Sequence, residues 1–308
     1  MKVLITGGAG FIGSNITDRL IELGHNTVVV DNLATGKKEN INKKCVFYEY
    51  DIRGKDLIGI FKKEMPDIVI HSAAQLSVRL SVEDPLYDCH VNVLGGLNVF
   101  NCSNQCGVKK VIFASSGGTV YGEQEKFPAD ESHSANPISP YGVAKLASEK
   151  YLNYFNMAYG LKYTALRYAN IYGPRQDPLG EAGVVAIFSK IMLLGETPVI
   201  NGDGRQTRDY VFVDDAVAAN IKAIESDFVG CINIGTQIET TVNELFNILK
   251  SASGKKDMGE MHGPAKPGEQ FRSVLANGLA KKVLGWQPAV SINEGLEMTY
   301  KWFEKGYK

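Results

Sequence analysis

Charge of one sign is what this chain most plainly lacks. Its 33 lysines and arginines stand against 34 aspartates and glutamates, a net charge of −1, and no basic block interrupts the balance. Nucleic acid and anionic membrane surfaces both require such a block, so neither is expected as a partner. No apolar run reaches the ~20 residues that a membrane-spanning helix needs. Lys2 leads directly into a strand-like run rather than the apolar stretch of a signal peptide, and a soluble, cytoplasmic protein is expected. The five cysteines (Cys45, Cys89, Cys102, Cys106 and Cys231) are odd in number and scattered. They suit small buried thiols in a reducing compartment, not a disulfide framework. The five histidines have no zinc-ligand spacing, so no metal site is expected. His71, closing a strand-like run, is expected to be structural. No internal repeat or low-complexity tract is present. At 308 residues the chain exceeds one typical domain and can bury a sizeable core.

Glycine is abundant, with 32 residues, and its first cluster is informative. A short apolar run over 1–6 ends in Gly7-Gly8-Ala9-Gly10-Phe11-Ile12-Gly13. Ile12, Ile16, Leu20 and Leu23 then recur at helical spacing until Gly24. Strand, glycine turn and helix make the context of a dinucleotide-binding fingerprint. Gly7 permits the tight turn, Gly10 lets a pyrophosphate approach the backbone, and Gly13 lets helix and strand pack closely. The helix opening at Phe11 and Ile12 presents orphan N–H groups and a positive dipole end to a diphosphate. A second strand-like run over 27–31 closes on Asp31. A carboxylate there suits an adenosine ribose 2′-hydroxyl and repels a 2′-phosphate, so NAD is favoured over NADP.

Further strand-like runs lie at 45–50, 68–71, 110–115 and 163–167, with helical stretches near 12–23, 55–64, 85–105 and 141–159. This alternation predicts an α/β fold with a doubly wound, parallel Rossmann sheet. Such sheets bind ligands at the carboxyl ends of their strands, where Gly13, Asp31, Ser115, Ser116 and Asn170 fall. Beyond residue 170 glycine and proline punctuate the chain, and short helices are expected near 185–195, 241–252 and 277–284. The predicted organisation is a dinucleotide-binding domain over 1–169 and a smaller, mainly substrate-binding domain over 170–308.

Tyr141 and Lys145 stand one helical turn apart, which puts a phenol and an ammonium on one face. A free tyrosine titrates near pH ~10, and a neighbouring cation favours its ionised form. Alone, that pair is a common coincidence of helical spacing. Beside a dinucleotide it makes a candidate general base.

The glycine spacing G-x-x-G-x-x-G, together with Tyr141 and Lys145, resembles the extended short-chain dehydrogenase/reductase family, in particular its nucleotide-sugar epimerases. Asp31-Asn32, Asp51-Ile52, His71-Ser72-Ala73-Ala74, Asn92, the run from Ser115 to Gly122, Arg167-Tyr168-Ala169-Asn170 and the run from Arg208 to Asp214 continue the likeness over essentially the whole chain. The resemblance implies Asp51 and Ile52 at the adenine, the segment from Ser72 through Ala73 to Leu76 along the cofactor, Asn92 and Tyr168-Ala169 near its nicotinamide half, and Ser115 among the cofactor contacts. It also implies that the segment near 211–235 returns to the nucleotide domain. Family members pair helices like those at 85–105 and 141–159 across a homodimer interface. On the second, Val143, Ala147, Tyr151 and Tyr154 recur on one face.

The implied reaction is a 4-epimerisation of a UDP-sugar. Tyr141 takes a proton from the 4-hydroxyl while C4 passes hydride to NAD, the 4-keto sugar turns over, and hydride returns to its other face. Lys145 lowers the phenol's pKa. A Ser or Thr usually completes the site, but Gly117 stands at that position, leaving Ser116 and Thr119 as substitutes. Gly118-Thr119 also replaces the Asp-Glu pair of 4,6-dehydratases and the glutamate usual in UDP-glucuronate decarboxylases. Arg208 matches the arginine that grips the diphosphate, a role suited to its bidentate fork. Asn170 would reach the diphosphate or hexose, while Val185 and the 199–201 strand with Asn201 resemble the uridine wall. Lys266 and Glu269 replace a more usual arginine and aspartate near the uridine end. Ser273 aligns where glucose-restricted epimerases carry a bulky ring, so room is expected for an N-acetyl group. The expected activity interconverts UDP-GlcNAc with UDP-GalNAc and UDP-Glc with UDP-Gal. Other family activities (a uronate 4-epimerase or a 4,6-dehydratase) and a non-catalytic dinucleotide-binding protein are the alternatives.

Overall fold

The computed structural model describes residues 1–178, 183–255, 257–265 and 270–307. β1 (Lys2–Thr6) is apolar on both faces because both are covered; Val3, Leu4 and Ile5 are fully buried. The glycine turn follows, then α1 (Phe11–Glu22) and β2 (Asn26–Asp31). β3 (Val46–Glu49), α2 (Leu57–Glu64) and β4 (Ile68–His71) complete the first half of the sheet. The expected helix at 85–105 is compound. A short α3 (Val78–Glu83) precedes it, and α4 (Pro85–Cys89) runs through a π turn at His90–Leu94 into α5 (Gly95–Gln105). β5 (Lys110–Ser116), the single turn α6 (Gly117–Val120), α7 (Pro140–Tyr159) and β6 (Lys162–Tyr168) follow.

β7 (Asn170–Tyr172), α8 (Val184–Leu193), β8 (Val199–Asn201), β9 (Thr207–Arg208) and β10 (Tyr210–Phe212) then lead away from the sheet. α9 (Val213–Glu225) and β11 (Gly230–Ile234) come back to it. β12 (Thr240–Thr241), α10 (Val242–Ala252), β13 (Met261–Gly263), α11 (Gly278–Leu284) and α12 (Ile292–Tyr307) end the chain. The final helix has no counterpart among the helices expected from sequence.

One seven-stranded sheet runs β11-β6-β5-β4-β1-β2-β3, and every pairing in it is parallel. It is the doubly wound sheet that the strand–helix alternation predicts. The winding reverses at β1, between β2 and β4, which opens a crevice at the carboxyl ends of those strands. One face is covered by Ile16 and Leu20 of α1 with Val217 of α9 and Trp286, the other by Phe61, Phe100 and Leu152 of α2, α5 and α7. A third core of Tyr172, Phe188, Met192, Phe246 and Tyr300 gathers α8, α10 and α12 apart from the sheet. Among the described residues no helix is long and apolar enough to cross a membrane. All five cysteines are free.

Candidate active site

The crevice is a cleft of about 610 Å³ whose walls include Gly7, Gly10, Phe11, Asp31, Asn32, Asp51, Ile52 and Ala73. Its floor is the glycine turn. Gly7 has φ +72°, and a Cβ on it would stand 2.6 Å from the Ala73 nitrogen; a Cβ on Gly13 would lie 2.2 Å from the Gly7 oxygen. Only glycine fits both places. α1 starts at Gly10 without a side-chain cap and has no acid in its first turn, so its leading N–H groups remain available to an anion. The residues present therefore fit a dinucleotide diphosphate.

Asp31 is nearly buried and accepts from Ala9 N at 2.9 Å and Leu33 N at 2.8 Å. It fastens the glycine turn to the next loop while lining the cleft. Asn32 donates to Asp51 at 2.8 Å, and the Arg53 fork holds the Asp51 carboxyl well below the usual carboxylate range. Arg175, Gln176 and Lys37 also line the cleft, and the sequence reading named none of them. Arg175 pairs with Asp18 at 2.7 Å, yet its Nη1 is buried without a hydrogen-bond partner. The Gly173-Pro174 turn just before Arg175 marks a loop in the sequence and carries no sign of the arginine's place.

Other expected cofactor contacts have their side chains engaged elsewhere. Ile12 packs into the core beneath α1. The Ser115 hydroxyl donates to Glu149 at 2.6 Å, and the Tyr168 hydroxyl accepts from Asn220 at 2.6 Å, deep in the core. Asn92 is buried and clamps the Gln75 backbone, donating to its oxygen and accepting from its nitrogen, each at 2.9 Å. His71 is buried, stacks on Phe113 and meets the Thr6 hydroxyl at 2.7 Å. Burial, with the Lys145 charge, pushes its pKa down to about 3, so it stays neutral.

Tyr141 and Lys145 share the first turns of α7, which Ser139 caps by accepting from Gly142 N and Pro140 opens at a position needing no N–H. Lys145 Nζ lies 5.5 Å from the Tyr141 ring centre and donates to the Ala114 oxygen at 2.9 Å. Burial pushes the ammonium down to about 8. Burial and the Asp88 carboxylate together push the Tyr141 phenol up. The lowering expected of Lys145 is one it would exert together with a cationic cofactor.

Behind the pair, the ion pair Arg167–Glu149 is almost completely buried and bidentate, at 2.9 and 2.6 Å. Arg167 also donates to Tyr121, which donates to Asn233, so the network ties β5, β6, β11 and α7 together. Facing the site is the α6 turn. A Cβ on Gly117 would lie 2.4 Å from Leu275 Cδ1, so Leu275 fills the place of the missing side chain. Thr119 Oγ1 is buried without a partner. Ser116 is half-buried at the start of the turn.

Arg208 ends β9, half-buried, and donates to the Thr207 oxygen. Asp209 beside it is buried and accepts from Thr236 N at 2.8 Å, Thr236 Oγ1 at 2.6 Å and Leu275 N at 3.2 Å. Burial pushes Asp209 up to about 6. Ser273 is buried on the same segment as Leu275. Asn170 begins β7 beside the Gly118 side of the turn; a Cβ on Gly118 would lie 3.7 Å from its Oδ1. Val185 is fully buried in the third core, and Asn201 ends β8. Lys266 and Glu269 lie outside the described residues. Among the described residues no cluster could hold a metal ion.

Residues 3–235 match the NAD dependent epimerase/dehydratase family. A UDP-glucose 4-epimerase of Thermotoga maritima, solved with UDP-glucose, is 50% identical with a TM-score of 0.98, and 100% of each chain is covered. A UDP-glucose 4-epimerase of Thermus thermophilus, solved with NAD, is 44% identical with a TM-score of 0.92 over 98% of this chain and 99% of that one. A UDP-N-acetylglucosamine 4-epimerase of Methanobrevibacter ruminantium M1, solved with UDP-N-acetylmuramic acid, is 38% identical with a TM-score of 0.94 over 99% of this chain and 98% of that one. The glycine turn, the parallel sheet and the Tyr141–Lys145 helix thus have counterparts along the whole chain, which belongs to the NAD-dependent epimerase/dehydratase family.

Proposed function

We propose that this chain is a UDP-hexose and UDP-N-acetylhexosamine 4-epimerase that keeps NAD bound through its cycle. What supports this reading is the Tyr141–Lys145 pair in the first turns of α7, beside an α6 turn that holds no carboxylate. Elimination of water needs an acid and a base there, and Gly118-Thr119 supplies neither. NAD, when bound, supplies the hydride acceptor and donor at C4. Gly7, Gly10 and Phe11 with the start of α1 would hold its diphosphate, and Asp31, Asp51 and Ile52 its adenosine end. Tyr141 takes and returns the proton of the 4-hydroxyl, and Lys145 orients the phenol and the cofactor ribose. Thr119, whose hydroxyl is buried and has no partner, supports a proton-sharing role beside Ser116. Arg208 and Asn170 would grip the diphosphate and hexose, with Asn201, Val185, Lys266 and Glu269 toward the uridine. The small side chain of Ser273, where a bulky ring would exclude it, supports acceptance of a 2-acetamido group.

The proposed assembly is a homodimer, supported by apolar side chains left exposed on α4 and α7: Leu86 is 82% exposed and Met157 79%. Five free cysteines support a reducing, cytoplasmic setting. The test is to incubate the purified protein with UDP-Glc and with UDP-GlcNAc and follow the product by mass and by C4 stereochemistry. Each should equilibrate with its C4 epimer at unchanged mass, and loss of water or carbon dioxide sinks the assignment. Ser273→Tyr should abolish turnover of the N-acetylated pair and largely spare the other; equal loss on both removes the size argument.

A further inference from the structure

Asp88 lies in none of the segments that identified the site, yet its carboxylate is buried close to it. Its Oδ1 accepts from the Gln75 side chain at 2.8 Å and from Asn92 at 2.9 Å. Its Oδ2 is buried and has no hydrogen-bond partner. A buried acceptor left bare is rare, because it forfeits hydration without replacement, and such an atom calls for a reason.

Hydrogen bonds lead from this carboxylate to the catalytic helix. Gln75 donates to the Ser77 oxygen at 2.8 Å and accepts from the Ser77 nitrogen. Ser77 caps α3 by accepting from Leu80 N at 2.9 Å, and Ser81, one turn further along α3, accepts from Tyr141 N at 3.2 Å. Asn92, one turn beyond Asp88 and within the π turn, clamps the backbone of Gln75. The 75–77 loop, which lines the cleft, and the start of α7 therefore hang from one acid. The charge of Asp88 also acts on both members of the pair, opposing the phenolate and favouring the ammonium. The remaining charged or titratable groups facing the pair are Glu149 on α7, already paired with Arg167, and the neutral His71 on β4.

We propose that Asp88 is a positioning residue for Tyr141 and that its half-bare carboxylate holds the proton on the phenol against the pull of Lys145 and a cationic cofactor ring. This rests on the reading of Tyr141 as the base. A group that must be base in one half of a reversible oxidation and acid in the other needs its proton affinity centred between the two states. The fixed negative charge raises that affinity against the combined pull of Lys145 and a cationic ring.

Asp88→Asn tests the charge, because the amide oxygen can keep both accepted bonds while the charge is lost. Asp88→Ala removes bonds and charge together. In the purified, cofactor-loaded protein, phenolate absorbance titrated against a Tyr141→Phe reference reports Tyr141 directly. Asp88→Asn should bring phenolate formation, and the acid limb of the kcat profile, to lower pH by about 1. Asp88→Ala should in addition lower kcat roughly tenfold through loss of orientation. An Asp88→Asn titration that is unmoved, or moves to higher pH, overturns this proposal alone if Tyr141→Phe is inactive. A Tyr141→Phe variant that still turns over the sugars overturns the base assignment and this proposal with it.

Discussion

At the scale of single residues, position 117 shows how a departure from family habit is absorbed. With no side chain on Gly117, Leu275 closes the gap, and the Leu275 amide is held by Asp209. Restoring a hydroxyl there collides with a buried leucine. Gly117→Ser should lower the thermal midpoint, at a cost of about 1–3 kcal/mol for overpacking, without raising kcat. A faster enzyme of unchanged stability would contradict this packing argument. Such pairings explain where the sequence was readable and where it was not. Gly7, Gly13 and Asp31 were legible because a tight turn and close helix–strand packing constrain residue type locally. The engagement of Ser115 with Glu149, of Tyr168 with Asn220 and of Asn92 with Gln75 was not, because each partner lies on another element and spacing carries no trace of it.

At the scale of elements, α7 serves three surfaces at once. Tyr141 and Lys145 lie beside β5 and the α6 turn, Glu149 and Leu152 face the sheet, and Val143, Tyr151, Tyr154 and Met157 face outward. Its expected span near 141–159 was readable, and Ser139, Pro140 and Gly160 fix its ends in the fold. The break of the neighbouring helix into α4, a π turn and α5 was not, since apolar periodicity continues across it. α12 escaped notice although its length and its Ser291–Glu294 start are ordinary; it shares a core with α8 and α10 that only the folded chain assembles. The outward row on α7 joins Leu86 and Leu94 of the neighbouring helix, all exposed. If these helices pair with a second copy, Leu86→Glu with Met157→Glu should convert the sedimenting species from dimer to monomer. A wild-type protein that sediments as a monomer across micromolar concentrations would remove the proposed interface.

At the scale of the whole molecule, two buried groups set opposing pH dependences. Asp209 titrates near 6 when folded against an ordinary 3.8. Between those values the folded chain holds a proton that the unfolded chain has lost, so stability rises as pH falls through the window. His71 titrates near 3 when folded against 6.5, so stability is lost as pH falls from 6.5 toward 3. Each slope is about 1.4 kcal/mol per pH unit, and where the windows overlap they cancel. Asp209→Asn removes only the favourable one. Its thermal midpoint should therefore fall more steeply than wild type between pH 6 and 4, and parallel curves would show that Asp209 is ionised alike in both states.

The position of β11 at the sheet edge bears on the order in which the protein can be made. β6 leaves the ribosome with its outer edge bare, and the Ala169 amide finds the Ile234 oxygen only after the whole excursion through β7 to α9 has been synthesised. Arg167, buried in the finished sheet, waits over the same interval for Asn233 to complete its network with Tyr121. A nascent chain stalled near residue 200 thus displays an unpaired strand and a half-built polar core, the kind of surface that chaperones shield. A chain truncated near residue 200 should therefore be held by chaperones or aggregate, where one extended past Ile234 is not.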